Sequence, residues 1–165
     1  MNRILFVILI TLFSFVKGSA QISNAKDLLN FSKIEYNNKN KNLLENKWKQ
    51  MSTKNYMDER GVSYSKTLYT KIYNGSEFRL FIEKAIYPDN NSTMLTTTLI
   101  TTNGTSFDKL FEGIEKLGFI FKPIAKGKLF ASSSDQKLLL ASEIINIDKQ
   151  TTDWIYQIKI KFNPN

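Results

Sequence analysis

Apolar residues recur along this chain at two different spacings. In TSFDKLFEGIEKLG, residues 105–118, Phe107, Leu110, Phe111, Ile114 and Leu117 fall at helical intervals on a single face. Thr105 and Asp108 have the spacing of a capping box, and Gly118 supplies a stop. A helix is therefore expected over 106–117. Elsewhere the interval is two. Trp154, Tyr156, Ile158, Ile160 and Phe162 alternate with Gln157, Lys159 and Lys161, as a half-buried strand of an antiparallel sheet requires. YSKTLYTKIY (64–73), FRLFIEKAIY (78–87) and TMLTTTLITT (93–102) read as three more strands, the last rich in β-branched Thr and Ile. Asn74-Gly75 and Pro88-Asp89-Asn90-Asn91 separate them as turns.

The remaining segments carry weaker signals. Asn24 with Asp27 looks like a helix start, and Leu28, Leu29 and Phe31 give that helix an apolar side. Asn37 to Asn42 reads as a polar turn or linker, and Leu43 to Asn46 as a second short helical piece. Strand character is expected from Lys47 to Met51, at Phe119 to Phe121, from Gly127 to Ala131 and from Lys137 to Ile147. Lys54 to Gly61 is charged and turn-like.

The chain begins MNRILFVILITLFSFVKGSAQ. Ile4 to Val16 is an apolar block of thirteen residues, which as a helix spans roughly 20 Å. A bilayer core is about 30 Å thick, so the block is short for an anchor. The basic start and the small residues Gly18 and Ala20 fit a secretory signal cut after Ala20. An uncleaved N-terminal anchor is the competing reading. With no Cys in the chain, a lipid-anchored signal is excluded. The expected destination is the periplasm or the extracellular space, with membrane contact only through this segment.

Without residues 1–20, 145 of 165 residues remain, enough for one globular unit with a substantial core. The elements run in two rounds, 21–104 and 105–165, each a helical segment followed by four strands. LLENKWKQM in the first round resembles IEKLGFIFK in the second. Antiparallel strands with helices on one face make an α+β, two-layer fold. Two such rounds joined edge to edge would give one eight-stranded sheet. That layout resembles small secreted inhibitor and envelope-assembly modules such as the β-lactamase-inhibitor type. The resemblance is one of element order and implies a fold, not an activity.

Composition narrows the chemistry. The chain has neither His nor Cys, which removes Ser-His and Cys-His nucleophiles, ordinary zinc sites and disulfides. Arg3 and Lys17 leave with the signal, so of 23 basic residues 21 remain against 15 acidic ones, a net charge of +6. Nearly all are Lys; Arg60 and Arg79 are the remaining arginines. Arg is the better residue for bidentate phosphate contacts, so nucleic acid is disfavoured as a partner.

Two S-x-x-K spacings, Ser63/Lys66 and Ser106/Lys109, match the nucleophile-and-base pair of serine penicillin-binding enzymes. On a strand, residues three apart point to opposite faces, so Ser63 and Lys66 cannot meet. Ser106 sits at a helix start, where capping explains it, and the partner motifs S-D-N and K-T-G are absent. Asp89-Asn90-Asn91 lacks the ligand spacing and terminal Glu of a calcium loop. Glu83 and Glu143 are flanked by Lys or Ser and look solvated. No catalytic, cofactor-binding or metal-binding residue is assigned.

The candidate site is a surface. If Phe78, Leu80, Ile82 and Ile86 face the helices, Arg79, Phe81, Glu83, Ala85 and Tyr87 face the other way. If Leu68 and Ile72 face the core, Tyr69, Lys71 and Tyr73 face outward. Tyr69, Lys71, Tyr73, Arg79, Phe81 and Tyr87 would then form an aromatic-basic patch on the open sheet face, suited to a protein or peptide partner. The expected function is an exported, non-enzymatic binding module, of which an inhibitor or immunity-like protein is one form. The alternatives are a small cell-envelope enzyme using Lys, Tyr, Ser or acid groups, and a charge-driven binder of anionic lipid or polysaccharide.

Overall fold

The computed structural model describes residues 22, 24–73, 75–125, 128–146 and 154–164. The expected signal, 1–20, lies outside the described residues. Helices α1 (Ala25–Lys33) and α2 (Tyr36–Glu45) lead into strands β1 (Lys49–Met57), β2 (Ser63–Tyr73), β3 (Ser76–Ile86) and β4 (Thr93–Thr101). Helix α3 (Gly104–Lys116) is followed by β5 (Lys122–Ala125), β6 (Lys128–Ser132), β7 (Leu138–Asn146) and β8 (Trp154–Phe162). The eight strands form one antiparallel sheet in the order β1-β2-β3-β4-β8-β7-β6-β5. The helices pack on one face of it. This is the expected α+β, two-layer class. The two four-strand meanders meet through their last strands: β4 pairs with β8 from Leu95↔Phe162 to Thr101↔Tyr156. No helix among the described residues is long and apolar enough to cross a membrane.

Register decides which side chains enter the core. Tyr69, Leu80, Leu99 and Ile158 lie opposite one another across β2, β3, β4 and β8. All four are buried, and they meet Leu28, Phe31, Phe107 and Ile114 of the helices. One row along, Thr67, Ile82, Thr97, Ile160 and Leu140 are buried in the same layer. Phe78, Leu80 and Ile82 face the helices as expected, while Ile86, at the end of that row, is 36% exposed. The expectation for β2 is overturned. Tyr69 pairs with Leu80, which puts Tyr69 inward and sends Leu68 to the face of Phe81. Ile72, expected in the core, is 75% exposed.

Several boundaries also move. Asn24 caps α1, its Oδ1 accepting from the Asp27 amide at 2.9 Å. The polar stretch 37–42, expected as a linker, lies inside α2. Leu43 is its one fully buried apolar residue, and polar contacts do much of the docking. Tyr36 Oη lies 2.9 Å from Thr67 Oγ1, and Asn40 Oδ1 accepts from Tyr69 Oη at 2.8 Å.

Helix α3 is capped by Asn103, not by Thr105: Asn103 Oδ1 accepts from the Ser106 amide at 2.8 Å. Phe107, Leu110 and Ile114 form its buried stripe, and Gly118 ends it at a positive φ of 92°. Strand β1 continues to Met57, so the turn is confined to Asp58–Gly61 rather than starting at Lys54. Phe119 to Phe121 is not a strand. Phe121 stacks on Phe111 with ring centroids 4.5 Å apart, and β5 begins only at Lys122.

Candidate functional site

The six residues expected to share a patch are divided between the two faces of the sheet. Tyr69 is fully buried under α2; its hydroxyl donates to Asn40, and burial raises its pKa. Lys71 and Tyr73 lie on the same helix-bearing face, because β2 pairs them with Phe78 and Ser76. Arg79 and Phe81 point to the helix-free face. Tyr87 follows β3, where its amide donates to the Ser92 carbonyl at 3.0 Å and closes the turn into β4. The slip of one residue in β2 is the reason: alternation allows either parity, and only pairing with β3 selects one.

The helix-free face has its own order, which the register sets out in rows. One row runs Ser52, Leu68, Phe81, Thr98, Lys159, Ala141 and Phe130 across β1, β2, β3, β4, β8, β7 and β6. Leu68, Phe81, Ala141 and Phe130 remain partly exposed there. The next row carries Lys54, Lys66, Glu83, Thr96, Lys161 and Leu139. On the other side run Thr70, Arg79, Ile100, Gln157, Glu143 and Lys128. The acids in these rows are taken: Glu83 by Lys66 at 3.9 Å and Glu143 by Lys128 at 2.8 Å. Lys54, Lys159 and Lys161 have no acid within ion-pair distance among the described residues. Lys66 Nζ sits 4.9 Å from the centroid of the Phe81 ring, within range of a cation–π contact. Ser52, Lys54, Lys66, Leu68 and Phe81 line a pocket of about 300 Å³.

At one end of this face Tyr56 and Tyr64 stack with centroids 4.8 Å apart. Tyr64 Oη donates to Asp58 at 3.3 Å, and Arg60 pairs with the same carboxylate at 2.8 Å. The Arg60 hydrogen bond, with backbone donors from Val62 and Arg60, holds the Asp58 carboxyl below its ordinary pKa. Desolvation beside Asp58 raises that of Tyr64. The cluster closes the β1–β2 turn.

Two features on the helix-bearing face were not anticipated. Lys39 of α2 is 1% exposed. Its Nζ donates to the Ser32 carbonyl at 2.8 Å and to Thr97 Oγ1 at 3.1 Å, and lies 5.6 Å from the centroid of Phe31. No acid accompanies it among the described residues, and desolvation lowers its pKa to about 7. Nothing in the polar run 37–42 signals this; the partners are on α1 and β4.

The second is a cavity of about 50 Å³ lined by Ile22, Trp48, Lys71, Tyr73, Phe78, Leu99 and Leu110. Trp48 is buried, and its Nε1–H has no acceptor among the described residues. An unmet buried donor costs about 1–3 kcal/mol. Lys71 Nζ donates to the Asn46 carbonyl at 3.0 Å and lies 5.9 Å from the indole centroid.

The serine–lysine spacings do not form pairs. Ser63 lies opposite Ile86 on the helix side and Lys66 on the other. The Ser106 amide is engaged by the Asn103 cap, and Lys109 is exposed. Among the described residues no three acids are grouped to hold a metal ion. Comparison with family models, with curated protein sequences and with solved structures finds no match.

Proposed function

We propose that the protein is an exported, non-enzymatic binding module that engages a protein or peptide partner through the helix-free face of its sheet. The observation that carries this reading is a partly exposed row in which Leu68 and Phe81 on one side and Ala141 and Phe130 on the other flank Thr98 and Lys159, and which crosses the sheet between two rows bearing lysines. Apolar and aromatic anchors set among polar and charged neighbours are the arrangement of a protein interface. Lys54 and Lys161 beside this row and Lys159 within it, unpaired among the described residues, favour a partner with acidic groups. An inhibitor or immunity-like role uses such a surface directly.

The test is affinity capture from the cell envelope and culture medium at moderate salt. Phe81→Ala and Leu68→Ala should each weaken capture of the dominant partner by tenfold or more, about 1.4 kcal/mol. Lys159→Glu should slow association and make its loss with salt shallower. If both apolar variants hold every captured protein as the parent does, the sheet face is not the interface. Retention of polyanions alone, abolished by salt and indifferent to Phe81, would favour a charge-driven lipid or polysaccharide binder.

A further inference from the structure

A hollow of about 300 Å³ lies on the helix-bearing face between α3 and strands β6 and β7, lined by Phe107, Asp108, Phe111, Leu129, Ser142 and Ile144. Small-molecule sites commonly have this size, with mostly apolar walls and a few polar groups. The wall on α3 is aromatic and is backed by further rings. Phe107 stacks on Phe111 with centroids 6.0 Å apart, Phe111 on Phe121 at 4.5 Å, and Tyr156 meets Phe107 at 5.0 Å. On the strand side Leu129 is half-buried and Ile144 is 43% exposed.

Ser142 supplies the polar group. It pairs with Leu129 on one side and with Ile158 on the other. Ile158 is in the core, so the Ser142 side chain points to the same helix-bearing face, towards α3. The residue is 3% exposed, and its hydroxyl makes no hydrogen bond among the described residues. The hydroxyl is nonetheless open: among the described residues Trp48 Nε1 is the one buried polar side-chain atom that is both unbonded and sealed from solvent. The opening at Ser142 is this hollow. Buried polar groups in native proteins are nearly always met by a protein atom, a water or a ligand. Water would meet the hydroxyl but gains nothing from the rings. An anion would lose its hydration against apolar walls beside the carboxylate of Asp108, which forms no ion pair among the described residues. A cation gains little from Asp108, because that carboxylate is exposed to water. The remaining complement is neutral, planar and hydroxylated.

We infer that this hollow binds a neutral single-ring aromatic alcohol, its ring lying against Phe107 and Phe111 and its hydroxyl hydrogen-bonded to Ser142 Oγ. The site is on the opposite face from the proposed partner surface and is independent of it.

Benzyl alcohol is titrated at millimolar concentrations into methyl-labelled protein, with benzoate and toluene as comparators that keep the ring. The Ile144 methyl signal is identified by its loss in Ile144→Leu. A saturable shift of that signal with benzyl alcohol, at an affinity at least about tenfold above that for benzoate, is the expected result. Ser142→Ala should weaken benzyl alcohol about fivefold, the effect of one neutral hydrogen bond, and leave toluene as it was. An unmoved Ile144 signal, a non-saturating drift, or benzoate equal to benzyl alcohol in the parent protein would overturn the assignment. So would a Ser142→Ala variant that holds benzyl alcohol undiminished or loses toluene equally. The benzoate comparison needs no variant and so does not depend on Ser142→Ala folding.

Discussion

Lys39 is the residue that departs furthest from what its type prefers. Lysine is almost never fully buried without a paired charge. Here the ammonium has one carbonyl, one hydroxyl and the Phe31 ring. Its pKa in the folded protein is about 7, and in the unfolded chain it is the ordinary 10.5. Below pH 7 both states carry the proton, and the cost of burying the charge is present in full. Between pH 7 and 10.5 the unfolded chain binds more protons than the folded one, so stability rises with pH across that window. Denaturant midpoints measured from pH 6 to pH 9.5 should climb, by an amount on the order of a few kcal/mol in free energy. Lys39→Met should raise the midpoint at pH 6 and flatten the climb. An equal climb in the variant would assign the effect to other groups.

At the scale of elements, α1 and α3 touch through their smallest residues. A Cβ built on Gly113 would stand 2.8 Å from the Cβ of Ala25. In an isolated helix Gly→Ala gains about 1 kcal/mol. In this one the added methyl has nowhere to go, since the neighbouring atom is a short, rigid side chain. Gly113→Ala should therefore lower stability by about 1–3 kcal/mol, the cost of overpacking, and Gly113→Ala combined with Ala25→Gly should recover part of it. Thermal melts of the two variants decide; a more stable single variant would mean that the helices separate without cost. The sheet edge has its own protection. Strand β1 is exposed along its whole length, and Lys49, Lys54 and the irregularity between Gln50 and Ser52 discourage a further strand from pairing with it.

For the whole molecule, the join between β4 and β8 is the decisive contact. The meander β1–β4 and the meander β5–β8 share their core only because Thr97 and Leu99 face Ile160 and Ile158 across this seam. Helix α1 bridges the same seam, touching β4, β8 and α3. A core that crosses the seam predicts one cooperative transition, with Trp fluorescence and far-UV circular dichroism coincident. Ile160→Ala should cost about 2–5 kcal/mol and still leave a single transition. Two separated transitions in that variant would mean that the halves hold together independently.

Much of this architecture can be read from the chain alone, for a definite reason. A strand with one wet face must alternate, and β8 does so from Tyr156 to Phe162. A helix on a sheet must show a stripe, and Phe107, Leu110 and Ile114 supply one. The absence of His and Cys narrows the chemistry without any structure. What the chain alone leaves open are choices between locally equal options. Strand β2 has aromatic or aliphatic residues on both parities, so only its pairing with β3 sends Tyr69 inward and Leu68 outward. Helix α2 looks like a linker because its anchors, Tyr36, Lys39 and Asn40, are polar and bond to Thr67, Thr97 and Tyr69, residues 29 to 58 positions away. The cavity at Trp48 and Lys71 gathers side chains from β2, β3, β4, α3 and the segments before α1 and β1. Local spacing reports which side of an element is apolar. It carries no information about which distant residue will stand opposite, and that pairing is set only when the sheet closes.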